Sequence, residues 1–144
     1  MNSTETYEKL LSEGCVETSF CIGSCGFASD AFCLSKSGNL WEVFYTERGY
    51  NQDPIFCSHD EREAAEFFYD FVSKQTHQHV IGVFKKEENA MKLETKLKSI
   101  GVNPIRSDPS SYTFPADRRF RVLVERSDIF PARETLGTEV KKDT

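Results

Sequence analysis

Residues 40–72 read LWEVFYTERGYNQDPIFCSHDEREAAEFFYDFV and hold the only tryptophan of the chain with a dense set of aromatic and acidic side chains. From Leu40 to Glu47, Trp41, Val43 and Tyr45 alternate with Glu42, Phe44 and Thr46. That period predicts a strand with one apolar face and one half-polar face, Phe44 being the exception on the second. Gly49 to Pro54 predicts a turn region, and Ile55 to Cys57 a short strand. At Ser58 the period changes. Ser58 and Glu61 have capping-box spacing, Asp60 and Glu61 suit the positive end of a helix, and the helix is predicted to run to about Lys74. Ala64, Phe68, Phe71 and Val72 share one face of it, with Phe67 at the edge. Glu63, Glu66 and Asp70 gather on the opposite face, a carboxylate ridge with Lys74 as the basic side chain at its far end.

Upstream, Ser3 is placed to cap a short helix through about Glu13, with Tyr7, Leu10 and Leu11 on one face and Gly14 as its stop. Val16 to Cys21 is β-prone, and Ile22 to Asp30 is small and glycine-bearing, which predicts a loop. Ala31 to Lys36 and Leu40 to Glu47 predict a hairpin closed by Ser37, Gly38 and Asn39. Downstream, His79 to Phe84 predicts a strand, and Glu87 to Ile100 a helix with Ala90, Leu93, Leu97 and Ile100 at helical spacing and Gly101 as cap. Val102 to Arg106 resumes β structure with Pro104 restricting it to an edge or an irregular strand. Ser107 to Asp117, polar and proline-bearing, predicts a loop or wide hairpin. Phe120, Val122 and Val124 then predict a core-facing strand face, with Arg119, Arg121 and Glu125 alternating. Past Arg133 no apolar period remains, so residues 134–144 predict a flexible tail.

The elements sum to an α+β fold: a mainly antiparallel sheet packed against two principal helices, with a short N-terminal helix. One domain is expected over residues 1–133, with possible halves at 1–76 and 77–133. A length of 144 residues, 38% hydrophobic and 12% aromatic, is enough for a real core. No apolar run approaches the roughly 20 residues that span a bilayer, and the N-terminus lacks a basic start with a long apolar centre. A soluble, cytoplasmic protein without a membrane partner is expected.

Charge is unevenly divided. Residues 1–75 hold five Lys/Arg against thirteen Asp/Glu, a net −8, and residues 76–144 hold thirteen against ten, a net +3. An acidic chain argues against sequence-independent nucleic-acid binding, which needs many phosphate-neutralising cations. It suits a basic partner, because complementary fields speed encounter.

Of the five cysteines (Cys15, Cys21, Cys25, Cys33 and Cys57), four fall in the first 33 residues. With His59 they could be arranged as a zinc site, yet the paired short-spaced knuckles of such sites are missing, so no metal is expected. A Cys–His pair such as Cys57 with His59 or His77 lacks the orienting group and oxyanion hole of a nucleophilic site. There is no phosphate-binding glycine loop and no metalloprotease helix, so neither a cofactor nor catalysis is expected. Arg106, Arg118, Arg119, Arg121 and Arg126 near Tyr112, Phe114 and Phe120 could form a single-strand platform, but Asp108, Asp117, Glu125 and Asp128 are interspersed and weaken its field.

Two resemblances follow from these motifs. Trp41, Glu42, Val43, Tyr45, Glu47, Arg48 and Gly49, then Asp60, Glu61, Ala64, Phe67 and Phe68, resemble the strand and acidic helix of small bacterial immunity proteins encoded beside polymorphic and contact-dependent toxins. Phe44 departs from the Tyr common in that pattern. The resemblance implies a cytoplasmic inhibitor that binds the C-terminal domain of one cognate toxin, 1:1, and blocks its active site. Toxins of such systems are commonly nucleases or NAD-degrading enzymes. Glu63, Glu66 and Asp70, with Glu47, Arg48 and Tyr50 on the adjoining loop, are the expected partner-binding residues. The second half is similar to SPOR-like β-α-β-β units through Gly82 and Phe84, then Asn89, Ala90, Leu93 and Leu97, then Phe120, Arg121, Val122 and Val124. That similarity implies, as the alternative, a glycan-binding module.

Overall fold

A computed structural model describes residues 1–108 and 118–143. The protein is α+β, and it divides into two compact units, Met1–Thr76 and His77–Thr144, each with its own sheet. Each unit has its own buried apolar cluster. No described helix is long and apolar enough to cross a membrane.

In the first unit α1 spans Ser3–Ser12. Asn2, not Ser3, is its cap: Asn2 is extended and its side chain accepts the Glu5 N–H at 2.8 Å. A cap must sit outside the helix with β-region backbone angles, and Ser3 is already helical. The Ser3 hydroxyl donates to Glu61 instead. Gly14 follows the helix at φ +81°, the left-handed geometry that made it a plausible stop.

Val16 to Cys21 is only partly a strand. Glu17–Ser19 is a single 3₁₀ turn and β1 is Phe20–Ile22, lying parallel to β2 (Ala31–Ser37). β2 and β3 (Leu40–Glu47) form the expected hairpin, with Leu34 opposite Val43 and Phe32 opposite Tyr45. The free edge of β3 takes two short strands, β4 (Tyr50–Asn51) and β5 (Phe56–Ser58). β4 exists because Arg48 and Gly49 both adopt positive φ, +50° and +83°, as a two-residue type I′ turn requires.

α2 spans Glu61–Ser73. Its cap is Asp60, whose carboxylate accepts the Arg62 N–H at 3.0 Å, while Ser58 accepts the Asp60 N–H at 3.0 Å. The Ser58–Glu61 capping box therefore does not form: the acidic residue two places on has taken the cap. Ala64, Ala65, Phe68 and Val72 of α2 meet Leu10, Phe20, Leu34 and Val43 in the core. Phe68 is 0% exposed, a burial that stabilises by up to about 3 kcal/mol.

The other face of this sheet is not solvated. Cys33 and Phe44 are cross-strand partners there, as are Ala31 and Thr46, and all four are buried. Residues 23–30 fold back over them, leaving a cavity of about 250 Å³ lined by Cys25, Gly26, Ala28, Ser35, Phe44 and Thr46. Phe44, the exception in the strand pattern, is the apolar residue that this loop covers.

The second unit runs β6 (Gln78–Phe84), α3 (Glu87–Ser99), β7 (Ile105–Ser107), β8 (Phe120–Glu125) and α4 (Ile129–Leu136). β8 pairs antiparallel with both neighbours in the order β6-β8-β7, a split β-α-β arrangement. Ile81, Phe84, Ala90, Leu93, Leu97, Val122 and Val124 build its core. A Cβ on Gly82 would stand 2.6 Å from Leu93 and from Phe84, so glycine is what lets α3 lie this close to β6. The predicted 107–117 loop falls mostly at 109–117, outside the described residues, and Ser107 belongs to β7.

Residues 134–143, expected as part of a flexible tail, make defined contacts. α4 continues to Leu136. Lys141 then donates its N–H to the Ile81 carbonyl and accepts the Val83 N–H, each at 2.9 Å, as a parallel bridge on β6. The Asp143 carboxylate accepts from the Lys85 N–H at 2.5 Å and from the Asn89 amide at 2.6 Å. These donors hold its pKa below the usual carboxylate value.

Candidate docking surface

The carboxylate ridge forms as the helical period requires: Glu63, Glu66 and Asp70 are all exposed on α2. None of the three is hydrogen-bonded or ion-paired through its side chain among the described residues. Arg62, four residues before Glu66, is a cation absent from the sequence description of the ridge, yet it makes no ion pair there among the described residues.

Beside the ridge lies a feature that periodicity did not reveal. Phe56 stacks on Phe67 with centroids 4.3 Å apart, Phe67 lies 6.1 Å from Phe71, Phe71 meets Phe32 edge-on at 4.7 Å, and Phe32 meets Tyr45 at 4.8 Å. The row crosses from β5 over α2 to β2 and β3, and every member is half-buried. Phe71 thus serves the row more than the core, where Ala65 takes the place expected for it. At about 100° per residue, Glu63 and Asp70 fall within roughly 60° of Phe67, and Glu66 within roughly 100°. The carboxylates therefore border the rings on the solvent side of α2. At the other end Tyr45 lies near Asp30 and Glu47, and its pKa is raised by desolvation first and then by these two carboxylates.

Glu47, Arg48 and Tyr50 sit at the β3–β4 turn, all exposed, with Tyr50 at 80%. No hydrogen bond or ion pair among the described residues joins this turn to the ridge. The aromatic row is what connects them, ending at Tyr45 two residues before Glu47. The Arg48 N–H donates to the Ser29 hydroxyl at 3.3 Å, which ties the turn to the 23–30 loop. That loop carries Phe27, wholly exposed and absent from the expected site. The sole sequence signal for it was an aromatic ring in an otherwise small, polar segment.

The rejected chemistries have their own geometry. The His59 ring nitrogen Nδ1 lies 3.0 Å from the Asn39 carbonyl, and Cys57 is exposed on β5. Cys15 is buried on the helix side of the sheet, whereas Cys21 and Cys33 lie on the far side. Among the described residues no group of three or more His, Cys, Asp or Glu is placed to hold a metal ion. Arg106 is bound by Glu94 at 2.5 Å, Asp108 at 2.7 Å and Glu87 at 3.3 Å. Hydrogen bonding to Asp108 leads the causes that push its pKa up. Arg106 and Arg118 also lie over Phe120, at 5.5 and 5.0 Å. An arginine so enclosed by carboxylates is a poor phosphate ligand. Tyr112, Phe114 and Asp117 of that patch lie outside the described residues.

An aromatic strip with an acidic border is the composition of a protein interface, with rings supplying contact area and charges supplying orientation. No protein-family model, curated protein or solved structure matches the chain.

Proposed function

We propose that the chain is an immunity-type inhibitor that binds the C-terminal domain of one cognate bacterial toxin, 1:1, through the aromatic row and its carboxylate border. The observation that carries this reading is the run Phe56, Phe67, Phe71, Phe32 and Tyr45 beside Glu63, Glu66 and Asp70. The net −8 of the first unit supports a basic partner, and a nuclease, whose active site must attract phosphates, has that character. Carboxylates seated where the phosphates bind would exclude substrate without any chemistry by the inhibitor, which acts in the cytoplasm beside the toxin's target. Tyr50 is the aromatic anchor on the adjoining turn, with Glu47 and Arg48 in its rim.

The test is co-expression with the toxin domain encoded by the neighbouring reading frame, followed by assay of the purified pair. Rescue of growth and 1:1 inhibition support the proposal; unimpeded toxin activity, or a neighbouring frame encoding no toxin, counts against it. A second reading, a glycan-binding module, is favoured by the strand-helix-strand-strand order of the second unit. Retention on denuded glycan strands would favour it.

A further inference from the structure

The second unit carries a surplus of cations, and one cleft collects four of them. Val83, Lys85, Lys86, Arg119, Lys142 and Asp143 line a cavity of about 600 Å³. That volume is in the range of small-molecule sites, roughly 300–1,000 Å³. Its lining comes from the end of β6 with the link into α3, from the residue before β8, and from the C-terminal strap. Lys142 is held there because both its neighbours are fastened. Lys141 bridges to Ile81 and Val83 of β6, and Asp143 accepts from the Lys85 N–H and the Asn89 amide. Asp143 is the one carboxylate among the described lining residues, and neutral donors engage its oxygens. Among the described residues no carboxylate, Asp143 included, forms an ion pair with Lys85, Lys86 or Lys142. Of the two acids in the first turn of α3, Glu87 is bound to Arg106 at 3.3 Å, and Glu88 is exposed outside the lining. Four cations against one carboxylate leave the cleft at +3.

We propose that this cleft binds a small anion bearing a diphosphate group, through Lys85, Lys86, Arg119 and Lys142. Lysine meets phosphate as a point charge, and arginine adds paired N–H donors. A single phosphate group carries about −2 at most near neutral pH, which is less than the charge of the lining. Two linked phosphates match it. Val83 is the apolar member of the lining, and no aromatic ring joins it among the described residues, so nothing is placed to stack a base. The phosphates themselves are what the cleft reads, whether free pyrophosphate or the end of a nucleotide brings them. Asp143 is a positioning residue, because its bonds to Lys85 and Asn89 keep Lys142 at the cleft. The site uses residues of the second unit alone and stands independently of the proposed inhibitor role.

The experiment is an amide chemical-shift titration of the whole labelled chain with sodium pyrophosphate, ADP and orthophosphate in turn. Salt is held at about 0.1 M, where the Debye length is about 10 Å. We expect saturable 1:1 shifts at residues 83, 85, 86, 119 and 142 with pyrophosphate. ADP should bind within about threefold of it, and orthophosphate about tenfold more weakly or worse. Lys85→Glu with Lys142→Glu should weaken pyrophosphate at least about tenfold. Lys96→Glu with Lys98→Glu makes the same charge change about 15–18 Å further along α3, beyond the Debye length, and should alter affinity less than about twofold. Lys142→Ala, a change at an exposed strap residue, should weaken binding about threefold with unchanged circular dichroism. Absence of saturable shifts at the lining residues overturns the proposal. So do equal losses in the two double variants, unchanged affinity in Lys142→Ala, or a preference for ADP over pyrophosphate of about tenfold or more.

Discussion

The two units use carboxylates in opposite ways. In the second, Glu87, Glu94 and Asp108 all converge on Arg106, whose side chain is only 18% exposed. In the first, Glu63, Glu66 and Asp70 stand along α2 with no cation paired to them among the described residues, beside half-buried rings. A carboxylate that closes a local network is structural, and its removal should be felt in stability. Carboxylates left open beside aromatic surface add little to folding, and their effect should appear in binding.

The comparison is set against the core of α2 itself. Phe68→Ala should cost about 4 kcal/mol, because it empties a fully buried site; urea unfolding followed by circular dichroism measures this. Arg106→Ala should cost about 2 kcal/mol in the same assay, since it strands the poorly exposed Glu94 and removes charged hydrogen bonds. A neutral result there would erase the distinction between the two units.

Tyr69→Phe should cost about 1 kcal/mol, removing a phenol that donates to Glu13 at 2.5 and 2.7 Å. That hydrogen bond pushes the Tyr69 pKa up to about 12 from 10.0. The folded state thus favours the protonated phenol. Its contribution is complete below about pH 10 and is lost as pH rises from there to about 12, so alkaline unfolding should be less steep in Tyr69→Phe. Glu66→Gln should change stability by no more than about 0.5 kcal/mol. Under the proposed function its effect is on binding, which should weaken most at low salt.

The parts of the fold legible beforehand are those whose signal is local. The β2–β3 hairpin, α2 and α3 follow from alternation, helical spacing and glycine stops, all set by nearest neighbours. The caps at Asn2 and Asp60 were displaced because two suitable polar residues lie close together and backbone angles decide between them. α4 did carry a signal, Ile129, Ala132 and Leu136 at helical spacing, with Pro131 in the first turn where proline is tolerated. The docked tail had none: one backbone bridge at Lys141 and one carboxylate at Asp143 leave no periodic trace. The ridge was legible from α2 alone. The aromatic row was not, because Phe32, Tyr45 and Phe56 join Phe67 and Phe71 only through tertiary packing. Nor was the pairing of Cys21 with Cys33, which depends on a parallel register.

The central claim is that the ringed, acidic side of α2 receives a basic protein. Its most direct measurement is an amide chemical-shift map of the isotopically labelled chain titrated with the domain proposed as its toxin partner, repeated with Glu63→Lys. We expect saturation at 1:1, shifts concentrated at residues 63, 66, 67, 70 and 71 and at 47–50, and at least tenfold weaker binding by the variant. Shifts confined to residues 77–143, or unchanged affinity in Glu63→Lys, would contradict it.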